Sequence, residues 1–191
     1  LTIIGFVRHG VTDWNKEGRA QGQNDVPLNA EGLLQAERLA RRLAIEEWQH
    51  IFSSDLQRAA TTADTIAKAM GRSVDRLDSR IREKSHGRLD GTTEADRIER
   101  WGSNWRDLDH QEETTEQVVA RSLSFIEEAT TEFADKRLLV VSHGAWIRTI
   151  LGVLLPDLDI KPLLNTSLTV VRRKQNGWVC ERFNCVEHLN L

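Results

Sequence analysis

A basic excess is missing: 26 lysines and arginines stand against 29 aspartates and glutamates, a formal net charge of −3. An electrostatic nucleic-acid binder needs the opposite balance, so no nucleic-acid partner is expected. No apolar run approaches the roughly 18 residues of a membrane span, and the start shows no signal-peptide pattern. The expectation is a cytoplasmic protein that engages no membrane. Cysteine is scarce: Cys180 and Cys185 are too few for a disulfide framework, lack metal-ligand spacing and read as reduced thiols. Asn165-Thr166-Ser167 fits a glycosylation acceptor by pattern, a use that is idle without export. The histidines at 9, 50, 86, 110, 143 and 188 show no HExxH or comparable spacing, so neither a metal nor a cofactor is expected. There is no repeat and no low-complexity segment. At 191 residues the chain reads as one domain, 1–191, long enough to bury about 70% of its unfolded surface.

What is present begins with Ile3-Ile4-Gly5-Phe6-Val7, a short apolar run that reads as a buried strand and ends in Arg8-His9-Gly10. Residues 11 to 28 form a polar, turn-rich stretch, too long for a mere connector. Apolar residues at Ala36, Leu39, Ala40, Leu43 and Ala44 then share one helix face. Ile51-Phe52-Ser53 is a short strand, and Ser54 with Gln57 fits a capping box. The helix it opens carries Leu56, Ala59, Ala60, Ala63, Ala67 and Met70, and ends at Gly71. A weak strand lies around Val74 to Leu77. Residues 78 to 113 are irregular and charged, with Trp101 and Trp105 at helical spacing. Thr114 and Gln117 open a helix whose face is Val119, Leu123, Ile126 and Phe133. The strand Leu138 to Val141 leads into Ser142-His143-Gly144 and an apolar helix from Ala145 to Leu155. Leu168 to Arg173 and Trp178 to Phe183 flank Asn176-Gly177, a hairpin signal. The alternation predicts a three-layer α/β/α sandwich with a mainly parallel central sheet.

Two strong strands end alike, in Arg8-His9-Gly10 and in Ser142-His143-Gly144. Parallel strands release both ends on one edge, so both histidines can face one pocket. Arg58 arrives from the first turn of the next helix. Helix N-termini, including the one after Gly144, favour an anion through free N–H groups and dipole. Paired arginines make a phosphoryl group the best ligand. A P-loop reading of Gly5 to Thr12 fails, because Val11 stands where its lysine must be. Without metal, the remaining chemistry is covalent: a neutral imidazole attacks phosphorus and carries it, while the cations balance charge on the equatorial oxygens. Glu83 is the best proton donor for the leaving group and could afterwards activate water.

Taken together, these residues resemble the histidine phosphatase superfamily, the phosphoglycerate-mutase-like proteins. The likeness runs through Arg8-His9-Gly10, Thr12-Asp13-Trp14-Asn15, Gly18 to Gly22, Asp25 to Asn29, Ser53 to Ala59, Arg82-Glu83, Gly87, Gly91 and Val141 to Gly144. The resemblance implies that His9 is phosphorylated, that Arg8, Arg58 and His143 complete a phosphate pocket, and that Glu83 donates the proton. It implies substrate contacts from Asn15, Gln21, Gly22 and Gly144. Val11, His86 and Gln111 to Thr114 depart from the family's usual residues without removing a catalytic role. The short cover, residues 84–113, should leave the pocket open to water. That points to a cofactor-independent phosphatase of small phosphorylated metabolites rather than a phosphoglycerate mutase. A catalytically idle interaction domain is the remaining alternative. Trp101 and Trp105 could stack on substrate or pin the cover. An exposed strand of the final hairpin is a candidate edge for a homodimer.

Overall fold

The opening apolar run becomes β1 (Ile3–Arg8) near the middle of a six-stranded sheet, in a computed structural model that describes residues 1–190. The other strands are β2 (His50–Ser53), β3 (Arg76–Leu77), β4 (Arg137–Ser142), β5 (Leu168–Lys174) and β6 (Gly177–Cys185), in the order β3-β2-β4-β1-β5-β6. The first four neighbours run parallel and the last two strands antiparallel.

Alternation along β4 explains the layering. Leu138 and Val140 join the core on one face, Leu139 and Val141 that on the other. A strand covered on both sides must be apolar throughout. Helices α5 (Thr115–Glu132) and α6 (Gly144–Leu154) cover the first face with Phe125, Ile126, Trp146 and Ile150. Helices α2 (Ala30–Leu43) and α3 (Gln57–Ala69) cover the second with Leu39, Leu43, Ala59, Ala63 and Ile66. This is the three-layer sandwich that the alternation of elements predicts. Short helices α1 (Asp13–Lys16) and α4 (Glu94–Trp101) lie in the first loop and in the cover. Among the described residues, no helix is long and apolar enough to cross a membrane.

Several local expectations need correction. Ser54 is not a helix cap: α3 begins at Gln57 behind Leu56, with no side-chain cap of its own. The N–H of Gln57 instead donates to Asp25 of the first loop at 2.6 Å, so the missing cap is supplied across space. Ala44 lies beyond α2 and is exposed. The buried stripe of α5 is Val118, Ser122, Phe125, Ile126 and Ala129, about one residue round from the expected face, with Val119 and Leu123 half-buried. Trp101 ends α4 and Trp105 sits in a separate 3₁₀ turn, because Gly102 at φ 80 breaks the helix between them. The hairpin loop is Gln175-Asn176, with Lys174 opposite Gly177; the left-handed residue opens β6 rather than filling the turn.

Candidate active site

Register brings the two histidines together. Arg8 of β1 pairs with Ser142 of β4, so His9 and His143 leave adjacent strands side by side, their ring centroids 5.2 Å apart. Both are buried. His9 Nδ1 lies 2.7 Å from the Gly10 carbonyl. A carbonyl only accepts, so the proton sits on Nδ1 and Nε2 keeps its lone pair. Burial, reinforced by Arg58 and Arg8, pushes the His9 pKa well below the usual imidazole range and keeps the ring neutral. His143 is held neutral in the same way, by burial first and Arg58 next. Its Nε2 lies 2.8 Å from Ser54 Oγ, which gives Ser54 a role at the site in place of the capping one.

Around the rings stand groups with unmet bonding capacity. Arg8 Nε, Arg58 Nε and His143 Nδ1 are buried without a partner among the described residues. Orphaned nitrogens are costly unless a ligand completes them, and three beside one histidine outline an anion site. Arg58 is fully buried; its outer nitrogens donate to the Asn24 and Gly22 carbonyls at 2.7 and 2.8 Å. Burial lowers its pKa to about 10, which still leaves it charged at neutral pH. Arg8 donates to the Leu163 carbonyl at 2.6 Å and packs against Gly144, where a Cβ would come within 3.3 Å of Arg8 Nε.

The first loop is built rather than solvated. Asn15 closes a capping box with Thr12, and the Thr12 hydroxyl donates to Gln21 Oε1 at 2.8 Å. Gly22 has φ 48, and any Cβ there would strike the Asp90 carboxylate. Its carbonyl is occupied by Arg58, so in this state Gly22 orients the arginine. Gly10 approaches the Gly32 carbonyl so closely that a Cβ would lie 2.5 Å from it, which pins the loop to the start of α2.

Glu83 occupies the N-terminus of α6. Its carboxylate accepts from the N–H groups of Ala145 (3.1 Å), Trp146 (2.8 Å) and Lys84 (2.9 Å). The helix end that the sequence offers to an anion is therefore taken by a side chain of the protein itself, beside Arg8 and Arg58, whose pKa values burial lowers and its charge partly restores. Arg121, absent from the sequence expectations, holds the segment that carries Glu83. It donates to the carbonyls of Arg80 and Arg82 at 2.7 Å each and of Glu83 at 3.1 Å, and it pairs with Glu113 at 2.6 Å. Asp90 is the other omission: half-buried against Gly22, its pKa raised by burial. Nothing local in the sequence marks either residue, because both act across long chain separations.

The cover is pinned by its own side chains. Trp105 is buried, with Arg97 and Arg106 at 4.9 and 4.3 Å from its ring centroid. Trp101 meets His110 with centroids 4.7 Å apart. Both indoles thus serve the cover's own packing. At its rim Lys84 and His86 share Glu112.

Known proteins resemble this chain over nearly its whole length. A model of the histidine phosphatase superfamily (branch 1) matches residues 4–186. A metal-independent phosphoserine phosphatase of Arabidopsis thaliana is 33% identical, covering 100% of this chain and 84% of its own length. Phosphoglycerate mutase-like protein 4 of the same plant is 34% identical over 97% of this chain and 86% of its own. Among solved structures, a mycobacterial glucosyl-3-phosphoglycerate phosphatase complexed with VO3 superposes with a TM-score of 0.86 at 28% identity, covering 96% of this chain and 99% of that one.

Proposed function

Because the chain belongs to the histidine phosphatase superfamily and is a phosphatase of that family, we propose that His9 is its nucleophile and Glu83 its general acid and base. The observation that supports this most is the His9 ring, tethered through Nδ1 and neutral, with Nε2 free among three unpartnered nitrogens. In the first step Nε2 attacks phosphorus and the P–O ester bond breaks. The leaving oxygen takes the proton from Glu83. In the second step water attacks phosphorus, Glu83 takes its proton, the P–N bond breaks and phosphate leaves. Arg8, Arg58 and His143 hold the equatorial oxygens throughout, and Asn15, Gln21, Gly22 and Gly144 line the approach.

The substrate class is a small phosphomonoester that also carries a carboxylate. Two relatives are named for phosphoserine and for glucosyl-3-phosphoglycerate, both of that kind. The Lys84 ammonium and the His86 ring, both turned onto the Glu112 carboxylate, are groups that such a substrate could engage instead. The two free cysteines agree with a reducing compartment, the cytoplasm.

The test is turnover of p-nitrophenyl phosphate with EDTA present. We expect chelator-resistant release of phosphate, abolished in His9→Ala, with base-stable, acid-labile phosphoenzyme trapped in the wild type. Well-folded protein without turnover would favour the binding-module alternative. Conversion of 3-phosphoglycerate to its 2-isomer in the presence of bisphosphoglycerate, without free phosphate, would favour the mutase.

A further inference from the structure

The Asn-Thr-Ser sequence at 165–167 lies behind the nucleophile. Asn165 Nδ2 donates to the His9 carbonyl at 3.0 Å and to Asn15 Oδ1 at 3.3 Å. Both amide orientations are fixed by main-chain groups of one polarity. The His9 carbonyl can only accept, so Asn165 must present its NH₂. The Thr12 N–H can only donate, and it does so to Asn15 Oδ1 at 3.1 Å, so that atom of Asn15 is its oxygen. With its oxygen engaged from both sides, Asn15 keeps its NH₂ as the free end, which bonds to nothing among the described residues.

Thr166 adds a second hold. Its N–H donates to the Arg8 carbonyl at 2.9 Å and to the His9 carbonyl at 3.3 Å. It is fully buried at φ 56, a left-handed conformation that a β-branched residue adopts only when its surroundings impose it. The surroundings are visible. The Thr166 hydroxyl donates to the Asn165 carbonyl at 2.7 Å and accepts from His188 Nε2 at 3.0 Å. On its other side His9 is held by its own N–H, which donates to the Ser142 carbonyl at 3.0 Å.

We propose that Asn165 is a positioning residue for phosphoryl transfer, one amide that fixes the His9 main chain and turns the Asn15 NH₂ toward the substrate. The inference rests on the reading of His9 as the nucleophile. Asn165 touches no reacting atom; it acts by keeping attacking nitrogen and ligand donor in one frame. Its amide hydrogens are already committed, which also argues against its use as a sugar acceptor.

The experiment is rapid-quench and steady-state turnover of p-nitrophenyl phosphate by Asn165→Asp, which matches the amide in shape but cannot donate. Misplacing a reacting group by about 1 Å can cost about a hundredfold, and we expect phosphoenzyme formation to slow at least about tenfold per folded molecule. Asn165→Ser, which retains one donor, should fall between the two and serves in place of Asn165→Asp if that variant does not fold. A cycle of Asn15→Ala and Asn165→Ala should be non-additive, since both remove the same bond. Phosphorylation within twofold of wild type in folded Asn165→Asp, or strict additivity of the cycle, would overturn the proposal, whatever the melting temperature does. If His9→Ala still forms phosphoenzyme, the underlying assignment of the nucleophile fails instead, a result independent of position 165.

Discussion

His9 shows how little of a catalytic group is its own chemistry. The imidazole is ordinary until burial, two arginines and one carbonyl fix its charge and its tautomer. The pKa values of His9 and His143 are pushed down, and that of His188 falls to about 4, chiefly by burial. An unfolded histidine titrates near 6.5, so below that value the unfolded chain binds protons that the folded chain refuses. Stability from these groups is therefore fully present above pH about 6.5 and lost as pH falls through their lowered values, for His188 about 4. Thermal melts between pH 7.5 and 4.5 should show a falling midpoint, at about 2–4 °C per kcal/mol for a chain of this size. His188→Gln, which keeps a donor for Thr166, should flatten part of that slope. By contrast, kcat/KM should not drop at the usual imidazole pH on acidification, since the nucleophile is already neutral there. A pH–rate profile corrected for substrate ionisation checks this.

At the scale of elements, the acid is positioned by a helix it does not belong to. Glu83 caps α6, while Arg121 of α5 grips the carbonyls on either side of it. Removing that fork in Arg121→Ala should cost about 1–3 kcal/mol of stability, the usual penalty for stranding hydrogen-bonded groups. It should also lower kcat more than it raises KM. Arg121→Lys should recover little, because an ammonium cannot span three carbonyls in a plane. Chemical denaturation and steady-state kinetics separate the two effects. The misjudged elements share a cause. Ser54 looks like a cap because the pattern Ser-x-x-Gln is local, whereas the true acceptor for the Gln57 N–H, Asp25, lies 32 positions away. The stripe of α5 turned because Ser122 and Thr130 are buried by bonding their hydroxyls to Val118 and Ile126 carbonyls, so polarity misplaced them.

For the molecule as a whole, a site assembled from β1, α3, β4, α6, the first loop and the cover gains stability when an anion completes it. Inorganic phosphate or vanadate at a hundred times its dissociation constant contributes about 2.7 kcal/mol. The melting midpoint should then rise by roughly 5–10 °C for a domain of this size, with EDTA making no difference. Arg58→Ala should remove most of that rise, as differential scanning fluorimetry would show.

The residues alone determined which strands are buried on both faces, that the sheet is mainly parallel, and that His9, His143 and Arg58 reach one edge. Those conclusions need only periodicity and the rule that parallel strands end together. Tertiary structure decided what depends on distance in space: the Arg8–Ser142 register that sets the rings 5.2 Å apart, the helix end claimed by Glu83, and the grips of Arg121 and Asn165. Each of these joins groups at least 38 positions apart in the chain, where no local pattern carries a signal and only packing selects the partner.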